Sequence, residues 1–188
     1  MEIKPKSVFR RGAEDGAKFG IYLSVMFIFV ALSSTLPLLS YLSTLMALAV
    51  PIYAFFTLRR GYIENGCFYT FSELWTYGIM LFACGALIMA MTIVAYTSWI
   101  NPGFIHQQCQ IAIEAYKSLN DPTATEIVSA LEKVVEQNLL PTPFQLAGNL
   151  FSFSVFSGSI LSMILAPIIR FFKPKDNGAN NSFSNKTF

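Results

Sequence analysis

The residues of this chain that could support catalysis or metal binding are few and far apart. His106 is the only histidine, and Glu114 lies two helical turns away from it. A Ser/His/Asp relay needs an acid within hydrogen-bond reach of the imidazole, and a histidine-based zinc site needs carboxylate or thiolate ligands at short range. We interpret His106 as a surface or interfacial residue. Because no Gly-rich phosphate loop or useful pair of carboxylates accompanies it, the sequence predicts no enzyme activity and no cofactor.

The three cysteines do not suggest a metal cluster either. Cys67 falls in a predicted cytoplasmic loop, Cys84 inside an apolar stretch and Cys109 in a predicted external segment. A disulfide bond requires two cysteine Cα atoms within about 7 Å of each other. We therefore predict neither an intrachain disulfide nor a thiolate metal site.

Four long apolar stretches determine the predicted fold class. They cover approximately residues 17–35, 38–58, 74–99 and 147–169. Each is near or above the ~20 residues that a helix needs to cross ~30 Å of hydrocarbon. With 54% hydrophobic residues, the chain is predicted to be an all-α membrane protein with four transmembrane helices. Residues 1–175 would form a single domain, and residues 176–188 a disordered cytoplasmic tail.

The positions of the basic residues predict the orientation in the membrane, because Lys and Arg that flank short loops stay on the cytoplasmic side. Basic residues precede the first stretch and follow the second and fourth, whereas the segment before the fourth stretch is acidic. Both termini should therefore be cytoplasmic. The basic residues form no contiguous face, so no nucleic-acid partner is predicted. The topology anchors after the second and fourth stretches are Arg59, Arg60, Arg170 and Lys173.

Residues 101–143 are predicted to form an external, periplasmic cap of two amphipathic helices. Asn101 with Pro102, and Asp121 with Pro122, are typical of helix starts. The apolar faces would be buried against each other, in the membrane interface or on a partner. These faces comprise Phe104, Ile111, Ala115, Tyr116 and Leu119 on the first helix, and Ile127, Leu131, Val134 and Val135 on the second.

Glu73 is the acidic residue nearest the apolar stretches, and two interpretations are open to it. Thr70 and Glu73 have the spacing of a capping box, in which each side chain bonds the backbone amide of the other residue. The alternative is a proton carrier at the membrane boundary. We favour capping, because the spacing explains Glu73 without further assumptions.

Small residues recur at every fourth position on two of the predicted spans, and they indicate close helix packing. In lipid, such stripes permit backbone approach, dispersion contact and interhelical hydrogen bonds. The seams could join helices within one subunit, join two copies or bind another membrane protein. A serine-lined path along the fourth span is the alternative, although serines also bond their own helix. The stripes consist of Gly12, Gly16, Gly20 and Ser24 on the first span, and Ser154, Gly158, Ser162 and Ala166 on the fourth.

The order of these features resembles a family of four-span bacterial inner-membrane proteins known as domain of unknown function 4199. The resemblance covers most of the chain. It includes the glycine-spaced first span, a loop from Arg59 to Gly61, the sequence from Thr70 to Leu74, the sequence from Ile100 to Phe104 and the helical insert before the fourth span. It implies an inner-membrane location and an accessory role beside membrane glycosyltransferases that act on polyprenyl phosphates. It assigns no site residue.

The sequence and this resemblance together predict a non-catalytic integral membrane protein. It would act as an accessory or scaffold subunit for another membrane protein, or as a homo-oligomer, surrounded by membrane lipids. A small transporter or a lipid-binding membrane protein is the alternative. No Asp, Glu, Lys or Arg lies deep in any apolar stretch, which disfavours an ion-coupled carrier.

Overall fold

The computed structural model describes residues 7–33, 36–118, 122–137 and 139–172, and its regular elements in these ranges are all helical. Four of them are long and apolar enough to cross a membrane. The chain is therefore an all-α, multi-pass membrane protein, as the apolar stretches predicted. The elements are α1 (Val8–Leu32), α2 (Pro37–Glu64), α3 (Phe71–Ala95) with a π-helical continuation (Tyr96–Ile100), α4 (Phe104–Lys117), α5 (Pro122–Glu136) and α6 (Pro143–Phe171). The four spanning helices are α1, α2, α3 with its continuation, and α6.

Helix α3 lies at the centre of the bundle and packs against both α1 and α6. Its buried side chains include Leu74, Tyr77, Leu81 and Ile93, all with an exposed fraction of 0%. By contrast, α2 buries few side chains, chiefly Ala54, Leu58 and Tyr62 in its second half. The bundle is therefore built around α3, with α2 at its edge.

Capping boxes fix the first turns of α3 and α6. The Thr70 amide donates to Glu73 Oε2 at 2.8 Å, and the Glu73 amide donates to Thr70 Oγ1 at 3.3 Å. The same exchange joins Thr142 and Gln145 at 2.9 and 3.3 Å. Each box satisfies amides that the first helical turn leaves without an intrahelical partner. The second box was not predicted, although its sequence spacing is the same as that of the first.

The expected loop from Arg59 to Gly61 is wrong, because α2 continues to Glu64. Arg60 Nε lies 2.7 Å from Glu64 Oε1 in an i,i+4 pair. Gly61 is helical and buried, and a methyl group there would lie 2.6 Å from the Tyr77 ring. The chain reverses later, where Gly66 and Cys67 have φ angles of 65° and 61°.

The expected start of the first cap helix at Asn101 and Pro102 is also wrong. The π-helical turn extends α3 to Ile100, and the Asn101 amide donates to the Tyr96 carbonyl at 2.9 Å. Helix α4 consequently begins only at Phe104. Asp121, Lys173 and the predicted tail, residues 176–188, lie outside the described residues.

Helices α4 and α5 pack against each other, and Lys117 Nζ bridges to Glu132 Oε1 at 2.7 Å. The buried positions agree with the predicted stripes only in part. Phe104 is buried and Leu131, Val134 and Val135 are half-buried, as these stripes predict. Ile113, Ala124 and Val128 are buried outside the stripes, whereas Ile111 and Ile127 are exposed. The burial of a small residue, Ala124, was not indicated by a stripe of large apolar side chains. The α4–α5 pair therefore buries part of its apolar surface internally.

Phe104 connects this pair to the spanning helices. Its ring centroid lies 5.8 Å from that of Phe27 on α1 and 5.5 Å from that of Tyr96, both in edge-to-face geometry. Such aromatic pairs contribute about 0.5–1.5 kcal/mol beyond the area that they bury. The first residue of α4 is thus anchored in the bundle.

Candidate functional site

The side chains best suited to catalysis or metal binding do not lie close together. His106 is exposed on α4, and Cys67, Cys84 and Cys109 are all free thiols. Within the described ranges, no group of three or more His, Cys, Asp or Glu residues is placed to bind a metal ion. Glu73 is occupied by its capping interaction with Thr70. The features of functional interest are therefore the helix contacts and the surfaces that they leave open.

The glycines of α1 lie directly against α3. A methyl group at Gly12 would lie 2.6 Å from Met80 Cβ, and one at Gly16 would lie 2.7 Å from Cys84 Cβ. Real carbon atoms in contact are about 3.5–4.0 Å apart, so neither position has room for a side chain. Both residue numbers rise together along the seam, which makes α1 and α3 parallel.

The same register continues towards the other end of α1. A methyl group at Gly20 would lie 2.8 Å from Ile88 Cβ, and one turn later Thr92 Oγ1 donates to Ser24 Oγ at 2.9 Å. Ser24 is therefore the point at which close backbone approach gives way to an interhelical hydrogen bond. Within a bilayer, such a bond contributes about 0.6 kcal/mol on average.

The contact between α3 and α6 uses small residues from both helices. Gly158 is buried, and a methyl group there would lie 2.5 Å from Phe82 Cδ1. Ser162 is fully buried, directly against Gly78, and donates to the Gly158 carbonyl at 2.7 Å. The pairs Gly78 with Ser162 and Phe82 with Gly158 run in opposite directions, so α3 and α6 are antiparallel. Ser162 is thus enclosed by helices and bonded to its own backbone.

The two remaining members of the α6 stripe have different environments. Ala166 is fully buried, whereas Ser154 is only partly buried and its carbonyl accepts the Ser157 hydroxyl at 3.4 Å. The close part of the α6 stripe therefore extends from Gly158 to Ala166 and weakens at Ser154.

A polar network closes the end of the bundle at which α1 begins. Arg11 pairs with Glu64 and also donates to the Gly61 carbonyl at 3.3 Å. The buried hydroxyl of Tyr77 donates to Asp15 Oδ2 at 2.6 Å. These contacts join α1, α2 and α3. The basic residues before the first span predicted only the orientation, and neither the ion pair of Arg11 nor the role of Asp15 was predicted.

Three of the predicted topology anchors, Arg59, Arg60 and Arg170, lie at this same end. Arg59 is partly buried, Arg60 and Arg170 are exposed, and Arg170 lies in the last turn of α6. Lys173 lies outside the described residues. The Nε atom of Arg59 is buried and has no hydrogen-bond partner among the described groups. Clustering of these guanidinium groups at one end is the arrangement on which the orientation rule depends.

An apolar groove opens where the α3–α6 contact widens towards the π-helical turn. Its volume is about 540 Å³, and Gly148 on α6 contributes to its wall. A methyl group at Gly148 would have no atom within 4 Å. Trp99 and Phe144 line the groove with exposed rings. Its remaining lining residues are Leu87, Ala90, Met91, Val94, Ala95, Ser98, Ala147 and Phe151.

Gly148 is an exception among the glycines of the spanning helices. At every other described glycine of α1, α2, α3 and α6, an added methyl group would lie 2.8 Å or less from an atom of another element. Gly148 and the α3 glycines, Gly78 and Gly85, were not among the predicted packing residues. The α3 glycines carry a seven-residue spacing that could have indicated a packed face. The open space at Gly148 has no such local signal.

Comparison with family models gives a match over most of the chain. The family model described as "Protein of unknown function (DUF4199)" matches residues 14–170. No curated protein and no solved structure matches the chain. The matched range includes all of α2 to α5, most of α1 and nearly all of α6. The predicted resemblance is therefore confirmed.

Proposed function

The chain belongs to the DUF4199 family, and we propose that it is a non-catalytic accessory subunit whose α3–α6 groove binds a transmembrane helix of another membrane protein or of a second copy. The observation that carries this proposal is the open space at Gly148. Glycine in a spanning helix permits close backbone approach. At each of the other described glycines of the spanning helices, an added methyl group would lie 2.8 Å or less from a neighbouring helix. Gly148 offers the same approach without an intramolecular neighbour.

The lining of the groove suits a helix as its occupant. Small residues, including Ala90, Ala95 and Ala147, form much of the wall, and the exposed rings of Trp99 and Phe144 provide large contact surfaces. Helices associate in lipid through dispersion contacts and small residues rather than through the hydrophobic effect. Ser98 adds a hydroxyl that can form an interhelical hydrogen bond.

The proposed location is a bacterial inner membrane with both termini in the cytoplasm and the α4–α5 pair on the periplasmic side. Two observations support it: the basic residues cluster at the end where α1 begins and α2 and α6 end, and α4–α5 lie at the opposite end. A membrane glycosyltransferase that acts on polyprenyl phosphates is the partner class to test first, on the strength of the family resemblance alone.

A pair of small-to-large substitutions on α6 tests the proposal. Gly148→Leu fills the groove, whereas Ser157→Leu adds a similar bulk at an exposed position of the same helix. Both variants should fold, because neither side chain enters the α3–α6 contact. Co-purification in mild detergent should recover a stoichiometric partner or dimer with the parent chain and with Ser157→Leu. The Gly148→Leu variant should lose it.

Two outcomes would contradict the proposed function. Retention of the partner by Gly148→Leu would show that the groove is not the binding surface. A monomeric parent chain without any stoichiometric partner, purified from the membranes in which it is native, would oppose the accessory role itself.

A further inference from the structure

A second groove, separate from the first, lies between α1 and α2 and has a volume of about 460 Å³. Ile52 and Phe56 are more than half exposed along it, so it faces the surroundings of the bundle. Arg60 lies at its end nearest the polar network. The remaining lining residues are Tyr22, Ala49, Tyr53 and Thr57.

One wall of this groove is rigid and aromatic. The Tyr53 ring stacks on Phe19 and Tyr22, with centroid distances of 5.3 and 5.4 Å. The Tyr22 hydroxyl donates to the Met46 carbonyl at 2.7 Å, which ties this wall to α2. A wall held by stacking and by a hydrogen bond is formed before any ligand arrives. Binding to such a surface loses less side-chain entropy than binding to a mobile one.

The end of the groove carries excess positive charge. Arg60, which lines the groove, and Arg11 both pair with the single carboxylate of Glu64, so two guanidinium groups share one negative charge. Arg60 uses its Nε in this pair, and its side chain is 78% exposed. The terminal nitrogens of an Arg side chain are well suited to a phosphate oxygen.

The length of the groove matches one leaflet of a bilayer. From Ala49 to Arg60, α2 rises roughly 16 Å at ~1.5 Å per residue. This is about half of the ~30 Å hydrocarbon thickness. A molecule with its charge at Arg60 would therefore reach the bilayer midplane near Ala49.

We infer that this groove binds an anionic phospholipid from the leaflet on the side where α1 begins. The phosphate contacts Arg60, and one acyl chain lies along Ile52 and Phe56 beside the rings of Tyr22 and Tyr53. Excess guanidinium charge selects an anionic over a zwitterionic headgroup, because the attraction to a net negative headgroup is not offset by a cation. This inference is independent of the helix-binding function proposed for the α3–α6 groove.

The headgroup contact is tested with a matched pair of charge variants. Arg60→Gln removes the charge at the groove, and Arg10→Gln removes one at the same end from an equivalent i,i+4 pair with Glu14. The purified full chain, in nanodiscs of phosphatidylcholine with increasing phosphatidylglycerol, is compared by native mass spectrometry for retained phosphatidylglycerol. Arg60→Gln should weaken retention roughly fivefold, as expected for one basic residue at a membrane surface. Arg10→Gln should have little effect.

A second pair tests the acyl chain contact. Ala49→Phe places a ring in the groove, and Ala47→Phe places it at an exposed position of the same helix. Ala49→Phe should reduce phosphatidylglycerol retention, and Ala47→Phe should not, with folding of both verified by monodisperse elution and thermal unfolding.

Two results would overturn the inference. Equal effects of Arg60→Gln and Arg10→Gln would mean that the surface charge attracts lipid without a site. Equal retention of phosphatidylcholine and phosphatidylglycerol by the parent chain would remove the role of the guanidinium groups.

Discussion

Replacement of glycine by alanine should have opposite effects at two positions of α6. A methyl group at Gly158 would lie 2.5 Å from Phe82 Cδ1 and 2.6 Å from Phe82 Cβ, so Phe82 or the α6 backbone must move. At Gly148, a methyl group has no atom within 4 Å. The two substitutions are chemically identical and lie on one helix, which makes each the control of the other.

The expected magnitudes follow from these contacts. Overpacking a close contact costs about 1–3 kcal/mol. Alanine is favoured over glycine in a helix by about 1 kcal/mol. Because an added methyl group at Gly158 would overlap several atoms of Phe82, its overpacking cost should lie in the upper part of this range, about 2–3 kcal/mol. After the helix preference for alanine is subtracted, Gly158→Ala should reduce the free energy of unfolding by about 1–2 kcal/mol, and Gly148→Ala should raise it by up to ~1 kcal/mol. For a chain of this length, 1 kcal/mol corresponds to about 2–4 °C in Tm.

Thermal unfolding of the purified variants in one detergent, followed by loss of monodisperse elution and by circular dichroism, measures the difference. Gly158→Ala should unfold several degrees below Gly148→Ala, with the parent chain between them. A Gly158→Ala variant as stable as the parent chain would refute the close α3–α6 contact. A Gly148→Ala variant destabilised as much as Gly158→Ala would refute the open groove.

Three further predictions concern the polar end, the orientation and the alternative function. Tyr77→Phe should lower the free energy of unfolding by about 1.5 kcal/mol in the same assay, because Asp15 loses a partly buried hydrogen bond; an unchanged Tm would contradict this role. In intact cells with a permeabilised outer barrier, a membrane-impermeant maleimide should label Cys109 and not Cys67, and the reverse pattern would invert the topology. Liposomes with the purified protein should show no substrate flux above empty vesicles, whereas flux abolished by Ser162→Val in a folded protein would favour a transporter.

Local and periodic features of the sequence were sufficient to predict the spanning helices and the start of α3. The four stretches were long enough to identify the spans, and the Thr70 to Glu73 spacing specifies a capping box through residues three apart. The ends of the helices were harder to predict from the sequence. Arg59 and Arg60 resemble loop residues by charge, but the i,i+4 pair of Arg60 with Glu64 lies within a continuing helix.

The partners of the small-residue stripes could not be read from the sequence, because they depend on the relative register of distant helices. The four-residue spacing of Gly12 and Gly16 indicates a face, but the opposing Met80 and Cys84 are fixed only when α1 and α3 are placed side by side. The open space at Gly148 is even harder to predict from the sequence. It arises where α3 and α6 separate, a property of two backbones that no single segment encodes.

Site-specific photo-crosslinking in native membranes tests most directly whether the α3–α6 groove binds a protein helix. A photoactivatable aromatic amino acid replaces Phe144, whose exposed ring lines the groove, and the control carries it at Phe153, an exposed position of α6 outside the groove lining. Position 144 should give one discrete adduct with a second polypeptide, another membrane protein or a copy of this chain, and position 153 should not. Lipid adducts alone at position 144, or the same pattern at both positions, would contradict the proposed function.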